Sequence, residues 1–202
     1  MIAGFRERLG NEIELVQRGA LDHLTRLQVA ALSPVGEEEP LVTQLRTGEA
    51  VTIAKERILE LMQQRIDGLQ AQGAGLIVVL CTGPFPELKA TVPLLFPDEV
   101  LRHFVTGVMP KGRLGVILPR ADQEPMMNAK WDAYLPLTFL VHDPYGGGAR
   151  IGAGDALRDC QLVVLDCMGY TATTKAAVRD ACDTPVLLAQ EVLAHAVELL
   201  AG

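Results

Sequence analysis

Apolar residues in this chain fall into short unbroken runs, separated by longer stretches in which they recur every three or four positions. The runs at 76–80, 114–118, 137–141, 162–165 and 186–188 are rich in Val, Ile and Leu. A strand apolar at every position is buried on both faces, as in a parallel sheet covered by helices. The stretches at 54–72, 97–108, 122–134, 173–181 and 190–200 have helical spacing. Alternation of the two patterns predicts an α/β fold. One segment departs from it: residues 41–45 and 50–53 flank Arg46, Thr47, Gly48 and Glu49 and predict a β-hairpin, after an exposed loop over 33–40.

An internal repeat organises the rest. Pro93, Leu95, Glu99, Val100, Leu101 and His103 recur without a gap as Pro185, Leu187, Glu191, Val192, Leu193 and His195, each displaced by 92 residues. Just upstream, Val78 to Gly83 resembles Val164 to Gly169 at a displacement of 86. Hydrophobic matches alone would follow from shared composition, but the Pro, Glu, His and Cys matches would not. The repeat predicts two pseudo-symmetric Rossmann-like halves, 1–109 with the inserted hairpin and 110–202, whose parallel sheets face a central cleft. The second half opens on the strand at 113–118, whereas the first opens directly on a helix at about 2–9. Its leading strand is therefore expected to be missing from this chain.

The repeat also singles out the chemistry. Cys81 and Cys167 each end an apolar strand and precede a glycine within two residues. In open α/β sheets the carboxyl ends of strands are where ligands bind. A pair of thiols facing each other across one ligand can take a proton from one side of a carbon and return it on the other. Backbone N–H groups at a helix start lower a thiol's pKa toward neutrality, which supplies the base. A buried cysteine is by itself more often a small apolar side chain; it is the repeated placement that favours catalysis. Thr82, Gly83, Met168, Gly169, Tyr170 and Thr171 follow the two cysteines and are the expected substrate-binding positions, their N–H groups forming a nest for a carboxylate. Cys160 and Cys182 lack such a turn and are read as structural, as are the helical His103 and His195. Arg18 and Lys55 remain candidate ligand clamps. The glycine cluster 145–154 fits neither nucleotide-binding fingerprint and is read as a loop near the site.

Composition narrows the partners. Hydrophobic residues are 49%, charged residues 21%, and the net charge is -7, with no cluster of Lys and Arg to meet a phosphate backbone. No nucleic-acid partner is expected, and no run is long and apolar enough for a membrane span. The four cysteines and four histidines are too scattered for local metal-ligand spacing, so no metal is expected. The opening residues lack a signal-peptide pattern, and the expected location is cytoplasmic. A small-molecule carboxylate is the expected ligand, and a homodimer is compatible with this reading.

Four segments carry a family resemblance: Arg18-Gly19-Ala20-Leu21-Asp22, Lys55-Glu56-Arg57, Cys81-Thr82-Gly83-x-Phe85 and Leu165-Asp166-Cys167-Met168-Gly169-Tyr170. Together they resemble the AroM family, related to the aspartate/glutamate racemase superfamily. The resemblance implies two Rossmann-like halves, no pyridoxal phosphate, and a cysteine pair that racemises or epimerises amino acids and related carboxylates. Superfamily racemases usually carry Cys-Asn-Thr and Gly-Cys-Thr where this chain has Cys-Thr-Gly and Asp-Cys-Met, so both sulfurs persist while the ligand-holding neighbours differ. The expected activity is that of a cofactor-independent racemase, epimerase or isomerase. The alternatives are a non-catalytic small-molecule binding or sensor protein and a lyase or decarboxylase using one cysteine.

Overall fold

The computed structural model describes Arg6, Leu9 and residues 13–134, 136–146 and 154–201. Of the opening helix expected at about 2–9 only Arg6 and Leu9 are described, both helical; the missing leading strand expected from sequence lies outside the described residues, as does most of the glycine cluster. The chain divides into two compact units, one made of Glu14–Val79 and Gly83–Phe96, the other containing Leu80–Thr82 and everything from Pro97 onward. The three residues around Cys81 and the helix after Phe96 belong with the C-terminal part.

In the first unit, the short helix α1 (Arg26–Ala30) starts at a capping box, with Thr25 and Gln28 satisfying each other's backbone N–H groups. The hairpin expected from the sequence is present as β1 (Pro40–Gln44) and β2 (Ala50–Ala54), antiparallel, with Pro40 opposite Ala54 and Gln44 opposite Ala50. Gly48 takes the positive φ of 87° that its turn requires. Helix α2 (Lys55–Ala71) follows β2 without a linker. Strand β3 (Ile77–Val78) pairs in parallel with β4 (Leu94–Leu95). The run at 76–80 predicted a longer strand. Its ladder is short because Pro97, just beyond β4, has no N–H to extend it.

The second unit holds a four-stranded, all-parallel sheet in the order β6-β5-β7-β8, formed by β5 (Leu114–Leu118), β6 (Thr138–Val141), β7 (Leu162–Leu165) and β8 (Val186–Leu188). Every residue of β5 and β7 is buried, which is what their unbroken apolar sequences demand. Gly115 in β5 leaves room for its neighbours: a Cβ there would fall 2.8 Å from Leu157 Cδ2 and 3.2 Å from both Cys160 Sγ and Val163 Cγ2. Helices α3 (Pro97–Val108) and α7 (Ala189–Ala201) pack on each other, and α6 (Ala172–Cys182) packs on β8. Cys160 and Cys182 are buried in the core.

The helix predicted over 122–134 is instead three pieces: a 3-10 turn at Ala121–Gln123, α4 (Glu124–Lys130) and a second 3-10 turn at Asp132–Tyr134. Pro125 can open a helix but not sit within one. At the other end, Tyr134 Oη donates to Met109 O at 2.6 Å and Trp131 Nε1 to Asp166 Oδ2 at 2.9 Å. These tertiary bonds outweigh the helical spacing.

The sequence repeat has a structural counterpart. Displacing β3 by 86 residues and β4 by 92 turns the pairs Ile77–Leu94 and Val78–Leu95 into Val163–Val186 and Val164–Leu187, which is the observed register of β7 with β8. The first residues of α3 and α7, Pro97 and Ala189, are likewise 92 apart.

Candidate functional site

Both candidate cysteines belong to the second compact unit, and the segments that carry them are tied together. Asp166, at the end of β7, is fully buried and accepts hydrogen bonds from Lys130 Nζ at 2.8 Å and Trp131 Nε1 at 2.9 Å. Lys130, itself only 6% exposed, also donates to Thr82 O at 3.0 Å. Thr82 Oγ1 in turn donates to Asp166 O at 3.1 Å. One buried ion pair thus anchors the chain on either side of the two thiols, with a cation–π contact of 5.3 Å between Lys130 and Trp131. An aspartate closing an otherwise apolar strand requires such partners, because a buried charge without them is costly.

Cys81 and Cys167 are both partly exposed. Cys167 packs against the core cluster and accepts a hydrogen bond from Gly169 N–H at 3.3 Å. Burial pushes its thiol up to about 12; the Gly169 N–H opposes this, while Cys81, Asp166 and Asp143 add to it. The loop after Cys167 is pinned from α7, where the buried Gln190 donates to Met168 O and to Tyr170 O.

Three of the backbone donors expected to form a carboxylate nest have partners within the chain. The N–H of Gly169 points at Cys167 Sγ, that of Tyr170 at Cys167 O (3.3 Å), and that of Thr171 at Thr174 Oγ1 (3.4 Å). These donors are spent within the loop and on the cap of α6, where Thr171 and Thr174 form a capping box. The Met168 and Tyr170 side chains are core residues, and Thr82 is buried. Gly83 falls in the first unit. Lys55 is ion-paired with Glu39 at 2.7 Å, and Arg18 Nη2 donates to Gln72 Oε1, also at 2.7 Å.

A family model described as "AroM protein" matches residues 1–201. The chain belongs to the AroM family. No curated protein matches it. Among solved structures, this AroM-family chain resembles aspartate racemase from Picrophilus torridus at a TM-score of 0.53 and 14% identity, over 72% of this chain and 70% of the racemase. Allantoin racemase from Klebsiella pneumoniae gives 0.52 and 16%, over 71% of this chain and 66% of that one. Glutamate racemase from Francisella tularensis, in complex with D-glutamate, gives 0.54 and 12%, over 78% and 67%. The chain spans about two thirds of the length of these racemases and shares their α/β fold.

Sequence reasoning missed Lys130, Trp131, Gln190 and Asp98. Asp98, in the first turn of α3, is buried and its Oδ1 has no hydrogen-bond partner among the described residues. Desolvation raises its carboxyl above the ordinary range, against the pull of Lys130 and the Glu99 N–H. At the displacement of 92, Asp98 corresponds to Gln190, so the repeat held the signal although the residue types differ. Among the described residues no cluster of His, Cys, Asp and Glu is arranged to hold a metal ion, and no helix is long and apolar enough to cross a membrane.

Proposed function

We propose that the chain is a cofactor-independent racemase, epimerase or isomerase acting at a carbon next to a carboxylate, with Cys81 and Cys167 as its acid/base pair. One observation carries this reading: a thiol recurs three residues beyond equivalent ladder positions, Val78 and Val164, and the charge of Cys81 bears on the ionisation of Cys167. The racemase-like fold supports it. In this reading residues 1–109 and 110–202 descend from one duplicated half, each contributing a sulfur, and the ligand is held near Thr82, Gly83, Met168, Gly169, Tyr170 and Thr171.

In the reaction, one thiolate takes the α-proton, the C–H electron pair becomes an enolate, and the opposite thiol gives its proton to the other face. An α-proton beside a carboxylate is weakly acidic, so hydrogen-bond donors must meet the developing charge. Burial keeps Cys167 protonated at neutral pH, which makes it the proton donor when Cys81 serves as base. The test is incubation in deuterium oxide with aspartate, glutamate, allantoin and a set of other α-substituted carboxylates, followed by NMR. Cys81→Ser and Cys167→Ser should each abolish interconversion while one enantiomer's proton still exchanges. Full activity in both variants would remove the cysteine pair from the mechanism.

One observation favours a second reading, a protein that binds a small carboxylate without turning it over: Cys167 is held as a neutral thiol and its loop donors are spent internally. Calorimetric binding of a panel member with no deuterium incorporation selects it.

A further inference from the structure

The loop after β6 brings a polar group onto the turn that follows Cys167. It begins with His142, stacked on Tyr170 at a centroid distance of 6.0 Å, and Tyr170 Oη donates to His142 O at 2.7 Å. Asp143 Oδ1 accepts from Tyr145 N–H at 2.9 Å, a side-chain turn that sets the direction of the Tyr145 ring. The ring lies on the bare backbone of Gly169, where a Cβ would fall 2.8 Å from Tyr145 Oη and 2.9 Å from both Tyr145 Cζ and Pro144 Cβ. Gly169 is also the residue whose N–H points at Cys167 Sγ. Glycine is thus required there by the phenol above it.

All three tyrosines of the chain bury their hydroxyls, but only two of these use them within the described residues. Tyr134 donates to Met109 O and Tyr170 to His142 O, whereas Tyr145 Oη is buried with no hydrogen-bond partner. A buried hydroxyl without an acceptor costs stability. Such a group persists where something outside the folded chain accepts its proton.

We propose that the Tyr145 hydroxyl is a ligand-binding group, donating a hydrogen bond to an anionic oxygen of the molecule held between Cys81 and Cys167. This rests on the reading of the thiol pair as a site for small carboxylates. Burial, and after it the charges of Cys167, Cys81 and Asp143, push the phenol's ionisation well above its ordinary value. The hydroxyl therefore stays a neutral donor throughout the working pH range. A carboxylate, or the enolate formed from it, is the acceptor such a donor fits best.

Two alkylating probes test this without knowledge of the natural ligand. Iodoacetate and iodoacetamide transfer their carbon to sulfur with loss of iodide in the same way, but only the first carries a carboxylate. Each is reacted at pH 9 with the full chain and with Tyr145→Phe, and the label on Cys81 and Cys167 is measured by mass spectrometry. The iodoacetate-to-iodoacetamide rate ratio should fall about tenfold in the variant at one or both sulfurs, equivalent to about 1.4 kcal/mol. The variant should melt no lower than the parent, since it loses only an unpartnered hydroxyl. Gly169→Ala, which displaces the phenol, should lower the ratio as well. A ratio changed less than twofold in Tyr145→Phe, no labelling of either sulfur, or a lowered melting temperature would each overturn the proposal. A lowered ratio without α-proton exchange on any carboxylate would keep the Tyr145 assignment and refute the racemase reading instead.

Discussion

Replacing Lys130 with Met tests the ion pair that anchors the segments around the two thiols. Methionine keeps the aliphatic stem and deletes the ammonium, so two charge-assisted hydrogen bonds are lost, to Asp166 Oδ1 and to Thr82 O. At roughly 1.5–3 kcal/mol for each such bond, the loss is about 3–6 kcal/mol. A second route gives the same scale. Among the described residues Asp166, with a fully buried side chain, keeps only the Trp131 indole as a side-chain donor, and stranding one member of a buried pair costs about 3–5 kcal/mol. A loss of about 4 kcal/mol should lower the urea midpoint by about 1.5 M, given a slope of about 2–3 kcal/mol per M. Trp131 is the chain's single tryptophan, so its emission reports unfolding at this place. Lys130→Met combined with Asp166→Leu should recover part of the loss, because no unpaired charge remains. A loss below about 1 kcal/mol for Lys130→Met, or a double variant less stable than the single one, would refute the reasoning.

Two ionisable groups give the remaining predictions. Because burial raises Cys167 to about 12 from 9.0, its alkylation by iodoacetamide should rise about tenfold per pH unit from neutrality upward. The sign for stability is the same: the contribution of this thiol is complete below 9.0 and is lost as pH rises toward about 12. A Cys167 labelling rate already on its plateau at pH 7 would contradict both statements. For Asp98, whose carboxyl is raised chiefly by desolvation, stability is complete below its unfolded value of 3.8 and is lost as pH rises through the higher folded value. Asp98→Asn should therefore stabilise the protein by about 1 kcal/mol at pH 7 and reduce the loss of stability as pH rises above 3.8. A variant less stable than the parent at pH 7 would show that the ionised carboxylate is needed in place.

The sequence by itself determined the elements whose pattern is local. Unbroken apolar runs located β5, β7 and β8 to the residue, helical spacing located α3, and the turn residues located the hairpin, because burial on two faces, a 3.6-residue period and a glycine with positive φ each leave a mark in adjacent positions. The repeat also carried the register of β3 with β4 and of β7 with β8, since the repeated residues keep equivalent pairing partners. Tertiary structure decided the rest. The helix over 122–134 broke into three because Trp131 and Tyr134 reach partners 35 and 25 residues away in the chain. The joining of Cys81's segment to the C-terminal unit and the ion pair between Lys130 and Asp166 also span dozens of residues, a separation at which no spacing pattern exists to be read. The unsatisfied oxygens of Asp98 and Tyr145 are the extreme case, because a missing partner is a property of the packed interior alone.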